Sequence, residues 1–241
     1  VQPIIDITYT YLLEEMVDFG YDNQVEPKSN GYNVSGVLKR YTNYRGEHVT
    51  PLDVTYPEGI IPRHDTRFLV TTLEDLIKAF PNNKINVEIK QSGDTGLLAL
   101  DAVIQLMDAL NQEYQTYERI VLASFHQEIF DKMIDFKKTT HPILMYSPSV
   151  KGVVSFFVLN TLGLGLFYQS DITVLQVPVS QAGIKLATNR FIKAAHRHDI
   201  AVHYWTIDDE ATMRKLIALG ADGIMTNRPT LLKQIIDEYD E

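Results

Sequence analysis

A barrel of parallel β-strands alternating with α-helices is the fold class that this 241-residue sequence predicts. Three observations lead there. From about residue 68 onward, six short apolar runs are each followed by a run of helical periodicity, and strict βα alternation means parallel strands with right-handed crossovers. No G-x-G-x-x-G or Walker sequence occurs, which weakens the alternative of a nucleotide-binding open sheet. Polar or aromatic residues stand at or just past the ends of the apolar runs (Glu88, Lys90, His126, Gln176, Trp205, Asn227), the rim on which a barrel builds its chemistry.

The elements follow in order. Residues 72–80 form an amphipathic helix; Thr71 or Thr72 can cap it, and Glu74 and Asp75 favour its positive end. Pro81-Asn82-Asn83 ends it, and 85–89 is the first strand. A long helix from 94 to about 111 carries Leu97, Leu100, Ile104 and Met107 at helical spacing. The rhythm repeats as strand 120–124 and helix 127–136, strand 143–146 and helix 150–162, strand 174–177 and helix 188–198. It closes with strand 201–205 and helix 209–219, then strand 223–226 and helix 229–238, whose first turn holds Pro229. Residues 1–67 differ: a helix-like piece at 10–19, then turn-rich, tyrosine-rich sequence without a strong period. They read as an irregular segment or insertion, and 68–241 as the barrel portion.

Composition narrows the function. The chain is 45% hydrophobic and 22% charged, with a net charge of −9, which argues against a nucleic-acid partner. An anionic substrate stays compatible, because a local basic pocket or a bound cation can dominate the field. There is no cysteine, so any metal must be held by carboxylates, histidines or backbone oxygens, which favours Mg²⁺ or Ca²⁺. The chain opens at Val1 without a visible signal peptide and reads as a fragment or processed form, so its start does not decide between a cytoplasmic and a membrane-associated location. The uncharged run 152–168 is short for a membrane span and interrupted by glycines. It reads as a barrel helix packed on the core, or as an apolar lip that touches a membrane surface or a lipid-like substrate.

Within the first strand, Glu88 and Lys90 are two residues apart and share a face. A carboxylate and an ammonium on a core strand carry a large desolvation cost, so the pair binds metal, binds phosphate or forms a structural ion pair. His126, past a strand end, is placed to bind substrate or orient a water. Trp205, the one tryptophan, is pocket wall or plain core, and Gln176 is a weaker candidate. His196 and His198 do not share a helix face and read as surface residues. Glu14-Glu15 and Asp208-Asp209-Glu210 read as exposed or helix-terminal charges.

Four segments together resemble the glycerophosphodiester phosphodiesterase family. Asn86-Val87-Glu88-Ile89-Lys90 is similar to its N-[IV]-E-[IL]-K strand, and Ser124-Phe125 to its S-F strand end. Val202-His203-Tyr204-Trp205-Thr206-Ile207 resembles its V-x-x-W-T-[VI] strand, and Gly220-Ala221-Asp222-Gly223-Ile224 with Thr226-Asn227-Arg228-Pro229 its closing element. Order and separation also fit, over residues 68–239. The resemblance implies a TIM-type barrel, a divalent cation, and hydrolysis of glycerophosphodiesters to sn-glycerol 3-phosphate and an alcohol; in a variant of this reading the apolar run 152–168 lines the mouth, so that lysophospholipids are substrates too. It makes Glu88 a metal ligand, Lys90 and His126 substrate contacts, and Trp205 a wall against the glycerol.

The family also begins with a strand ending in His-Arg, then Glu-x-Asp, then His-Asp; its histidines are the acid and base. None is found here in that context, so the catalytic residues are unknown and the chain is expected to lack the first strand or two. Arg63-His64-Asp65 has the letters of the last element but sits just before a helix and reads as loop. Unpaired barrel edges would favour a homo-oligomer. Two competing readings are a non-catalytic barrel that binds phosphate or a lipid headgroup, and an unrelated aldolase-like barrel with Lys90 as a Schiff-base lysine.

Overall fold

The computed structural model describes residues 71–240. Two compact units, Val1–Leu76 and Ile77–Glu241, divide the chain, and apart from the capped start of the first helix all packing described below lies within the second. The expected boundary at 67/68 lies outside the described residues, as do the helix-like piece at 10–19, Glu14-Glu15 and Arg63-His64-Asp65.

The first helix, α1 (Leu73–Ala79), is capped by Thr72, whose hydroxyl oxygen accepts the Asp75 amide at 3.1 Å and donates to the Asp75 carboxylate at 2.7 Å. Strand β1 (Ile85–Glu88) follows, then the long helix α2 (Gly93–Tyr114) with Leu100, Ile104 and Met107 buried. At Gln115 a left-handed backbone (φ 49°) breaks α2 and starts a one-turn helix, α3 (Thr116–Arg119). This short helix escaped the periodicity because four residues hold no period. It leads straight into β2 (Ile120–Ala123) and α4 (Gln127–Thr139). Next come β3 (Met145–Tyr146), α5 (Val150–Thr161), a 3₁₀ turn at Gly165–Phe167 and β4 (Val174–Val177).

The hairpin β5 (Ser180–Gln181) and β6 (Ile184–Lys185) was not expected, since two-residue strands show no alternation. Its turn holds Ala182 at φ 48° and Gly183 at φ 79°, the two positive φ values that a tight two-residue hairpin needs. Helix α6 (Asn189–His196) is capped by Thr188, which accepts the Phe191 amide. Strand β7 (Ala201–Tyr204), helix α7 (Glu210–Leu219, capped by Asp209), strand β8 (Gly223–Ile224) and helix α8 (Pro229–Asp240) complete the unit.

Strands pair in parallel as β1-β2-β3 and β4-β7-β8. One backbone hydrogen bond, Thr173 N–H to the Tyr146 carbonyl at 3.0 Å, joins the two sheets. The result, among the described residues, is an arc of six parallel strands in the order β1-β2-β3-β4-β7-β8, each followed by helix. Alternation then divides the side chains. Leu122, Tyr146, Leu175, Val202 and Tyr204 are fully or almost fully buried on the outer side of the strands. Asn86, Glu88, Ala123, Gln176 and Trp205 have the opposite parity and reach a common space at the C-terminal end of the arc.

The run 152–168 has one side on the core and another in solvent. Phe156 is fully buried, edge-on to Phe191 and Tyr168, whereas Val154 is 55% and Leu166 94% exposed. Among the described residues no helix is long and apolar enough to cross a membrane.

Candidate active site

The C-terminal ends of β1, β2, β3, β4 and β7 surround a cavity of about 260 Å³. Glu88 enters it from the last residue of β1, and Lys90 from two residues further on. The Lys90 ammonium lies 3.7 Å from a Glu88 carboxylate oxygen. The expected desolvation penalty is small here, because β1 ends at Glu88 and the pair sits at the mouth; the Lys90 side chain is 75% exposed. Glu88 and Lys90 are the one acid and the one base among the described residues lining the cavity.

Trp205, just past β7, forms part of the wall and meets Phe125 edge-on, with ring centroids 5.7 Å apart. The amide nitrogen of Gln176 on β4 donates to the Asn86 side-chain oxygen at 2.6 Å, a bond across the interior of the arc. Asn86 was not singled out from the sequence, yet Asn86, Glu88 and Lys90 are spaced two apart, and that period carries it. Ser147, directly past β3, lines the same cavity and lacked any such signal.

His126 lies outside this lining. It occupies the cap position of α4, and its Nε2 is 3.1 Å from the Lys90 carbonyl. The Ser124 hydroxyl donates to the Ile89 carbonyl at 2.8 Å and accepts the His126 amide at 3.2 Å. His126 and Ser124 therefore fasten the loop that carries Lys90; Ser124 also lines the cavity, and His126 acts on it through that loop.

Asp208 is more than an exposed charge. It accepts from the Thr226 hydroxyl, from the Asn227 amide and from the Asn227 side chain, and so holds the turn after β8. Desolvation raises its pKa, but these donors and the Arg228 charge outweigh that and leave it below the usual value. Asp209 is the α7 cap, as expected for a helix-terminal charge. His196 and His198 diverge: His196 bonds Asp222 at 2.8 Å, while His198 packs edge-on against Phe156 and Tyr168.

His203 shares the parity of Trp205 but lies deeper along β7. Gly223 of the neighbouring strand passes so close that a β-carbon there would come 2.5 Å from the imidazole, so the position requires glycine. Burial lowers the His203 pKa below 6.5; Asp222 partly offsets this and Lys84 adds to it. The imidazole is thus neutral in the fold and protonates more readily when unfolded. Its contribution to stability is complete above pH ~6.5 and is lost as pH falls from there toward the depressed native value. Thermal melts between pH 8 and 5 should show Tm falling below pH ~6.5, with a shallower fall in His203→Asn. A parallel pH dependence in the two proteins would sink this assignment.

A hard divalent cation takes six or more oxygen ligands. Glu88 offers one, and no cluster of three or more metal-ligating side chains assembles among the described residues. Among the described residues, no such site is complete.

Comparison with known proteins agrees with this geometry. The sequence model described as "Glycerophosphoryl diester phosphodiesterase family" matches residues 30–231. A Mycobacterium tuberculosis protein, "Probable glycerophosphodiester phosphodiesterase 2", is 23% identical over 69% of this chain and 60% of its own length. Lysophospholipase D GDPD1 of Rattus norvegicus is 24% identical over 93% of this chain and 74% of its own. The crystal structure of a glycerophosphodiester phosphodiesterase from Parabacteroides distasonis superposes with a TM-score of 0.51 at 19% identity, covering 70% of this chain and 65% of that one. The chain thus spans less than two thirds of the mycobacterial protein and of that crystal structure. The structural likeness is one of fold, the TIM-type barrel to which the six-stranded arc corresponds. With the family's sequence model matched over 30–231, this chain belongs to the glycerophosphoryl diester phosphodiesterase family.

Proposed function

We propose that the protein containing this chain hydrolyses glycerophosphodiesters to sn-glycerol 3-phosphate and an alcohol, and lysophospholipids to the corresponding acylated glycerol 3-phosphate and an alcohol. The observation that carries this reading is the Glu88–Lys90 pair, 3.7 Å apart, at the mouth of a cavity on the C-terminal rim of parallel strands. Lys90 is a mobile point charge suited to a non-bridging phosphate oxygen. Glu88 supplies one anionic oxygen toward a divalent cation, Mg²⁺ or Ca²⁺. Charge neutralisation on the phosphoryl group is what such a cation supplies when bound. Trp205 gives the glycerol an apolar wall, and His126 positions Lys90 through its backbone carbonyl.

In the reaction a water oxygen bonds to phosphorus, the bond from phosphorus to the alcohol oxygen breaks, and that oxygen leaves with a proton. The resemblance assigns these transfers to histidines, and no histidine is among the described residues lining the cavity.

The test is incubation of the longest natural form of the protein with glycerophosphocholine, with and without EDTA. Release of glycerol 3-phosphate and choline that stops with EDTA is the expected result. No turnover over a panel of glycerophosphodiesters would instead favour a phosphate-binding barrel without catalysis, and release of phosphocholine would place the cleaved bond wrongly.

A further inference from the structure

A second cavity, of about 480 Å³, lies beside the first, between α5 and the β5–β6 hairpin. Val150, Val154, Phe157 and Val158 of α5 form one side, and Ile184 and Leu186 the other. No charged side chain lines it. Phe125, Pro148, Gln176 and Trp205 line both cavities, so the two are continuous across the Trp205 ring.

The α5 wall is itself open to solvent. Val150, Val154 and Val158 stand four residues apart on one helix face and are 54%, 55% and 43% exposed. Such a stripe is unfavourable in water unless something covers it. An occupant of both cavities has an anionic head at Lys90, a small polar linker against Trp205, and an uncharged tail along α5. Among the described residues one apolar branch leads from the shared wall, which suits a lipid of one chain.

We infer that this second cavity binds the single acyl chain of a lysophospholipid whose glycerol rests on Trp205 and whose phosphodiester meets Lys90. The inference rests on the proposed function for its head and adds the site for its tail. Each methylene buried favours binding about three- to fourfold. The KM for lysophosphatidylcholine should therefore fall steeply as the chain lengthens, until the cavity is filled, while glycerophosphocholine is turned over without that gain.

Val154→Lys and Val158→Asp place charge in the cavity at exposed helix positions that the fold tolerates. Both should raise the KM for C16 lysophosphatidylcholine at least tenfold and leave glycerophosphocholine turnover unchanged. A fluorescent long-chain fatty acid, kept below its critical micelle concentration, gives a readout free of catalysis: it should bind the wild type and lose at least tenfold in affinity in both variants. If neither diester is hydrolysed, the proposed function fails while fatty-acid binding still decides the tail site. A KM independent of chain length, fatty-acid binding unchanged by the variants, or a dimer that either variant dissociates while fatty-acid binding persists would overturn the inference.

Discussion

Replacing Glu88 with glutamine is expected to lower turnover of glycerophosphocholine on the order of 10³-fold while leaving the melting temperature almost unchanged. Glutamine keeps the volume of the side chain and removes its charge. Glu88 is the one carboxylate among the described residues lining the cavity, so no lining neighbour replaces it. Stabilising charge at a reacting phosphoryl group is worth several kcal/mol, and each ~1.4 kcal/mol is tenfold in rate. The structural role of the same residue is slight. Its partner Lys90 is 75% exposed at 3.7 Å, and an exposed ion pair contributes at most about 1 kcal/mol, roughly 2–4 °C in Tm for a domain of this size. A cation titration adds a second readout. After EDTA, the wild type should recover with added Mg²⁺ or Ca²⁺, and Glu88→Gln should need far more of the same ion. Turnover within tenfold of wild type would remove Glu88 from the chemistry. A large drop in Tm would make it a structural ion pair instead.

What could be read from the sequence is what depends on local physics. Thr72, one of the two caps offered for the first helix, caps it, and Asp209, read as an exposed or helix-terminal charge, stands at a helix start. Glu88, Lys90, Gln176 and Trp205 meet around one cavity because every strand of a βα unit points its C-terminus the same way. The sequence was silent where neighbours decide. His126 sits three residues past the end of β2, and whether it enters the cavity or takes the cap position of α4 depends on the Lys90 carbonyl, which is distant in sequence. Strand β3 is two residues long, and β5 and β6 likewise, so pairing defines them rather than pattern. In 152–168 the lack of any charge hid which face is outward, and so concealed that Phe156 is core while Val154 lines a cavity.

Replacing Arg119 with methionine is expected to destabilise the fold by about 3 kcal/mol, roughly 6–12 °C in Tm, without impairing the cavity. Arg119 is 7% exposed, and among the described residues its guanidinium donates to backbone carbonyls. Nε reaches the Tyr114 carbonyl at 2.6 Å, one terminal nitrogen reaches Phe80 and Asn83 at 2.7 Å each, and the other reaches Ile77 at 3.4 Å. These carbonyls belong to the end of α1, the turn after it and the end of α2, where helices leave carbonyls unpaired and present the negative end of their dipole. One planar fork satisfies all of them and ties both helix ends to the start of β2. Methionine fills the space of the alkyl stem but donates nothing. Hydrogen bonds to a charged donor are worth about 1.5–3 kcal/mol each, and the loss is less than their sum because Phe80 is half exposed and water can reach its backbone. Lysine should restore only part, since a point charge cannot span four separated carbonyls. Equilibrium unfolding of the two variants separates geometry from charge: full rescue by lysine would leave charge alone as the cause, and a loss under 1 kcal/mol in Arg119→Met would deny the clamp. Arg119 precedes the first residue of β2, whereas Glu88 and Lys90 gather at the opposite strand ends. Below its lowered Tm the variant should therefore keep the wild-type KM, with stability built at the N-terminal end of the barrel and chemistry at the other.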